Sequence, residues 1–437
     1  MSRRLSILAL ALLVAYFFLH LGVVLSLAVD LPFWDEWEML NPNGLSRHLD
    51  LGWLFRQHTD HRIVLTKLQI WILYHLNGWD LRTQQGINFF VFGGLIATLF
   101  KVCQKTAPTM PFWVLSPFLL FCLSPLPSES HAWAFESQFH FMLLFIFWTM
   151  HFLFSPTQNP KIQVLALSCL VLAMFSISGG ITAALGGLSV YAVYSLLRGV
   201  RKNTLRQEFI RLSIVLLFFT AAGVSWLIGF QRPVNLPPKM LFHKAAFWDF
   251  FFNLISFGFG FEWQFWPLGF FCFLLVGLPF GLLFLRALRA KKDPIDSSWS
   301  YLSVTSCLLM ILLTITIGRA AWGVGTSKTV RYAEFAVLLL PLTAAAWWNL
   351  LKTRIVLRNG ILITLFLVAM IGLSDNWSFE PYRKVQRSQR QGVECVKAFY
   401  LSGGGADCTV TSNKNLTPFL IRAKELNLSF YRKIIGH

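Results

Sequence analysis

The amino-acid sequence predicts an all-α polytopic membrane protein with about eleven transmembrane helices. Two observations carry that expectation. Of 437 residues, 55% are hydrophobic and 13% charged, with 43 Phe and 17 Trp, and the apolar residues fall in blocks without a strand or helix period. A soluble core cannot absorb that much apolar surface. The second observation is where the cations sit: the formal charge is +18, and the Lys and Arg gather in short loops between the blocks, as orientation signals do. The charge therefore reports topology, and no nucleic-acid partner is expected.

The blocks lie at 5–29, 86–102, 111–127, 139–154, 162–178, 180–197, 212–230, 265–286, 301–318, 335–351 and 356–373. Each reads as one crossing. The first follows Arg3-Arg4, is longer than the apolar region of a signal peptide and has no small-residue cleavage site before Asp30, so it is expected to stay as a span. With the N-terminus inside, the inner turns carry Lys101 and Lys105; Lys161; Arg198, Arg201, Lys202, Arg206 and Arg211; Arg286, Arg289, Lys291 and Lys292; and Lys352, Arg354 and Arg358. Every inner turn thus obeys the positive-inside rule. The expected organisation is a membrane domain over 1–373 and a small outer tail over 374–437.

Two apolar stretches would invert all later loops if they crossed. The segment 245–263 is rich in Phe and Trp and reads as an interfacial or re-entrant helix. Ile63 to Leu76, inside the outer loop 30–85, reads as a helix lying along the membrane surface. In the tail, Cys395 and Cys408 bracket an SGGGAD turn and are expected to form a disulfide in an oxidising compartment. The five other cysteines lie in or beside spans, where Cys behaves as a small hydrophobe.

Chemistry is expected on the outer face. Directly after the first span, Asp35 and Glu36 stand between Trp34 and Trp37, where partial desolvation raises carboxylate basicity and an indole can stack on a sugar. An aromatic membrane belt explains the same composition. Further along, His58, Asp60, His61 and Arg62 form a cluster suited to phosphate binding or proton transfer. The second outer turn brings Glu129 and Glu136, costly near a membrane unless paired or used. The fifth combines glycines with Arg319, Lys328, Arg331 and Tyr332 on the side the charge rule leaves poor in cations, which suits an anionic ligand or lipid headgroups.

This pattern resembles the GT-C class of membrane glycosyltransferases. The points of likeness are the acidic pair Asp35-Glu36 after the first span, the acidic turn from Glu129 to Glu136, an interfacial helix, a glycine-rich cationic turn ending in Arg331-Tyr332, and an outer tail. Within the class it looks most like bacterial transferases that decorate O-antigen or lipid A. The resemblance implies a GT-C-like fold in the bacterial inner membrane, with a cytoplasmic N-terminus and a periplasmic C-terminus. It implies a polyprenyl-phosphate-linked sugar as donor, a glycan, lipid or protein acceptor, and inverting transfer with Asp35 or Glu36 as base. Neither acidic turn contains DxD, so a divalent metal such as Mg or Mn is not specified. A transporter or lipid flippase and an O-antigen polymerase or ligase are the competing expectations.

Overall fold

The computed structural model describes residues 2–155, 159–233, 239–290, 298–374, 376–402, 408 and 415–436. Lys291 and Lys292 of the inner-turn reading, and most of the SGGGAD turn, lie outside them. Among the described residues the regular structure is helical, apart from an isolated antiparallel bridge between His58 and His61.

Among the described residues eight helices are long and apolar enough to cross a membrane, as a polytopic protein requires: Arg3–Leu27, Leu81–Thr106, Gly179–Lys202, Leu205–Leu227, Trp266–Arg289, Ser298–Trp322, Val330–Leu350 and Ile355–Ser374. The apolar blocks at 111–127, 139–154 and 162–178 form shorter helices, Phe112–Cys122, Ser137–Leu153 and Pro160–Met174. The first is shortened by a local cause. Pro125 and Pro127 follow the first of these, and proline supplies no N–H and clashes with the preceding turn. Pro160 opens the third at a position where its missing N–H costs nothing.

The helix Ala245–Gly258 has 14 residues, roughly 21 Å at about 1.5 Å per residue, too short to cross a core of about 30 Å. It buries Phe247, Phe250, Phe251 and Leu254 and leaves Trp248 exposed. The surface-helix reading of 63–76 corresponds to Val64–Asn77, capped by Gly78 at φ 76.

Small residues bring two long helices together. A Cβ on Gly186 would fall 2.7 Å from the Ser306 carbonyl oxygen, so only glycine fits there. The approach lets Ser306 Oγ donate to the Gly186 carbonyl (2.9 Å) and Ser303 Oγ to that of Gly187 (3.0 Å). Such small-residue contacts with interhelical hydrogen bonds replace the hydrophobic drive that lipid does not supply.

A second core lies outside the bundle of long helices. It joins Trp37, Leu40 and Trp79 of the 30–85 loop to Leu420, Phe419 and Phe430 of the tail. Asp30 fastens the two: Oδ1 accepts from Leu81 N (3.0 Å), and Oδ2 accepts from Ser429 Oγ (2.7 Å) and Lys433 Nζ (2.6 Å). Cys395 and Cys408 are joined by a disulfide within this unit. Over the described residues, the tail shares this core with the first loop. Tyr382 adds a third tie: its hydroxyl lies 2.8 Å from His20 Nε2 on the first long helix and 3.0 Å from His131 Nδ1 in the 128–136 turn.

Candidate functional site

Two carboxylates of the first loop each follow a residue in left-handed backbone. Trp34 has φ 48 and Thr59 has φ 48. A bulky or β-branched residue is rarely tolerated there and costs about 1–3 kcal/mol. The consequence is directional: Trp34 stays exposed while Asp35 lines an inner cavity, and Asp60 lines the same cavity.

That cavity has a volume of about 700 Å³. It gathers residues from every turn singled out in the sequence: Asp35, then Asp60 and His61, then Glu136, then Arg319, Arg331 and Tyr332. His61 Nε2 lies 2.9 Å from Asp60 Oδ1, and His61 Nδ1 lies 2.7 Å from Ser178 Oγ. Asp60 Oδ2 faces Arg319 at 3.7 Å, and the Arg319 guanidinium sits 4.4 Å over the Trp322 ring. Glu136 Oε1 faces Arg331 at 3.5 Å. Trp133, Phe139, Ile311 and Ile315 make other parts of the wall apolar. The cavity can therefore meet charge and hydroxyl groups as well as a hydrocarbon chain.

Compared with known proteins, the chain matches no protein-family model, no curated protein and no solved structure. The site's chemistry must be read from its own residues.

Burial raises the Asp60 carboxyl, but the hydrogen bond and charge of His61, together with Arg319, outweigh it and hold Asp60 well below the usual carboxylate range. Asp60 is thus an anion that orients its cations. Burial also raises Glu136, and Arg331 opposes that rise.

The other expected residues lie elsewhere. Glu36 is 1% exposed, with Oε2 accepting from Phe33 N (2.8 Å) and Oε1 from Phe135 N (2.9 Å). Both oxygens are committed to tying the first loop to the 128–136 turn, so Glu36 is not placed to act as base. Trp37 is fully buried in the second core against Phe430, and Trp34 is exposed and outside the lining, so neither indole serves the cavity as a sugar platform. His58 pairs with Glu38 at 3.3 Å. Arg62 donates to the carbonyls of Trp226, Phe55 and Ile228. Lys328 Nζ donates to the carbonyls of Phe261 (2.6 Å) and Asn253 (2.8 Å), and burial pushes it down to about 7. It holds the glycine-rich turn to the helix Ala245–Gly258. Glu129 lies beside the site without lining it.

Sequence reasoning missed Ser178, Trp133, Trp322, Arg232 and Lys239, all on the cavity wall. Ser178 falls at the end of the apolar block 162–178, whose reading as a crossing gave it no role. Among the described residues no group of three or more His, Cys, Asp or Glu is placed to hold a metal ion.

Proposed function

We propose that the protein is a GT-C-type membrane glycosyltransferase of the bacterial inner membrane, moving a sugar from a polyprenyl-phosphate donor to an outer-face glycan or lipid acceptor. In this reading the N-terminus is cytoplasmic and the cavity opens on the periplasmic side. One observation carries the proposal: Asp35 shares a cavity of about 700 Å³ with the Asp60–Arg319 and Glu136–Arg331 pairs, next to an apolar wall.

The chemistry follows from that layout. The acceptor hydroxyl oxygen attacks the anomeric carbon as its proton passes to the Asp35 carboxylate. The bond from that carbon to the phosphate oxygen breaks, and the departing lipid phosphate is met by Arg331, Arg319 and Lys239. Inversion follows because base and leaving group stand on opposite faces of the sugar. Trp133 and Trp322 take the stacking role first assigned to Trp34 and Trp37.

A transporter is the second reading, favoured by a specific pair. His140 and Glu334, both fully buried, meet at 3.3 Å inside the protein, and paired ionisable groups in a membrane protein's interior often mark transport paths.

Native mass spectrometry of the detergent-solubilised protein with a polyprenyl phosphate tests the donor site. The transferase reading expects a bound lipid phosphate that is weakened in Arg331→Ala. Absence of binding would move the weight to the transporter.

A further inference from the structure

We propose that a second cavity beside the first binds a phosphate or diphosphate group, the anionic end of the second substrate; this deepens the transferase reading and rests on it. The cavity has a volume of about 750 Å³ and is lined by Arg56, Arg62 and Arg232, with no Asp or Glu in the lining among the described residues. Thr59, Arg232 and Pro233 line both cavities, so the two adjoin and Arg232 stands where anions bound side by side would meet.

The cationic wall is held in place. Arg62 is 7% exposed, and its nitrogens are fixed by three backbone carbonyls, which orient the guanidinium without supplying a counter-charge. Lys67, 2% exposed, stands behind it and donates to the carbonyls of Trp53 (2.9 Å) and Arg56 (2.6 Å). Burial, and then the positive charges of Arg56 and Arg62, push the Lys67 ammonium down to about 8. These cations act on one another, and an anion placed among them relieves that repulsion.

Gln57 fixes the opposite wall, since its Oε1 accepts from Gln231 N (2.8 Å) and its Nε2 donates to the Gln231 carbonyl (2.6 Å). That reciprocal pair pins the segment bearing Arg232 to the loop bearing Arg56. Gly229, at φ 68, has nothing within 4 Å of where a Cβ would stand, so the backbone wall is open to a ligand. The lining sets the ligand class. Here the lining offers guanidinium groups, which match the oxygens of phosphates.

The test is isothermal titration of inorganic pyrophosphate into the full chain in phosphatidylcholine nanodiscs. Wild type should bind, and Arg56→Glu, at an exposed position, should weaken binding at least tenfold while Asp35→Asn leaves it unchanged. No binding by wild type, or a loss in Arg331→Ala with none in Arg56→Glu, overturns the second site. Repeating the titration with phosphatidylglycerol in the nanodisc separates the sources: competition supports a lipid headgroup as occupant, and unaltered affinity supports a phosphate presented from water. The two proposals fail separately. A chain without transfer activity that still shows Arg56-dependent binding loses only the transferase reading, and Arg56-independent binding loses only this site.

Discussion

Glu136 and Arg331 face each other at 3.5 Å inside the first cavity, joining two turns that lie far apart in the sequence. Glu136 is 2% exposed, so its carboxylate depends on that guanidinium for compensation.

Arg331→Ala should therefore leave a buried carboxylate without its cation and lower stability by about 2 kcal/mol. Adding Glu136→Gln to that variant should restore much of the loss without restoring lipid-phosphate binding. Thermal unfolding of the two variants in detergent, alongside native mass spectrometry, checks both halves. Equal melting temperatures for wild type and Arg331→Ala would remove the pair's structural role.

Strain at Thr59 gives a second prediction. With φ 48 at a β-branched residue, Thr59→Gly should stabilise the fold by about 1 kcal/mol. The same change frees the backbone that aims Asp60, so activity should fall while the melting temperature rises. A fall in both would show that the Thr59 side chain contributes more than the strain costs.

The pH response of the first loop should carry the signature of Glu36. Burial, opposed by the N–H groups of Phe33 and Phe135, pushes its carboxyl from 4.5 up to about 8. A raised folded-state value means the group's stabilisation is complete below pH 4.5 and is lost as pH rises through about 8. The melting temperature should thus decline over that window, and the decline should be shallower in Glu36→Gln. Identical slopes in the two proteins would count against it.

Removing the Trp37 side chain should undock the tail. Its ring is fully buried between the first loop and Phe430, and Trp→Ala in such a core costs about 3–5 kcal/mol. Limited proteolysis should then cut within the 374–437 tail of Trp37→Ala before the bundle of long helices is lost. Simultaneous loss of tail and bundle would show one cooperative unit in place of two.

Much of the fold was legible because lipid imposes a one-dimensional rule: long apolar runs become helices. The eight long helices among the described residues and the helices at 64–77 and 245–258 all follow from it. The short helix at 112–122 did not, because apolar content says nothing about where proline ends a turn. The site was legible as a set of turns and not as a set of side chains. Asp35 and Glu36 are neighbours in sequence, yet one lines the cavity and the other is sealed behind it, a difference set by the backbone at Trp34. Ser178 carried no signal at all, since its role comes only from the nearness of His61. The shared core of first loop and tail was equally hidden, because pairing of distant segments leaves no local pattern.

Asp35 is the residue on which the account turns. Wild type and Asp35→Asn, reconstituted in proteoliposomes with a panel of labelled polyprenyl-phosphate sugars and outer-face acceptors, are compared for covalent sugar transfer. The account predicts a product with wild type and a loss of at least about a hundredfold in the variant, at an unchanged melting temperature. Full transfer by Asp35→Asn would contradict it.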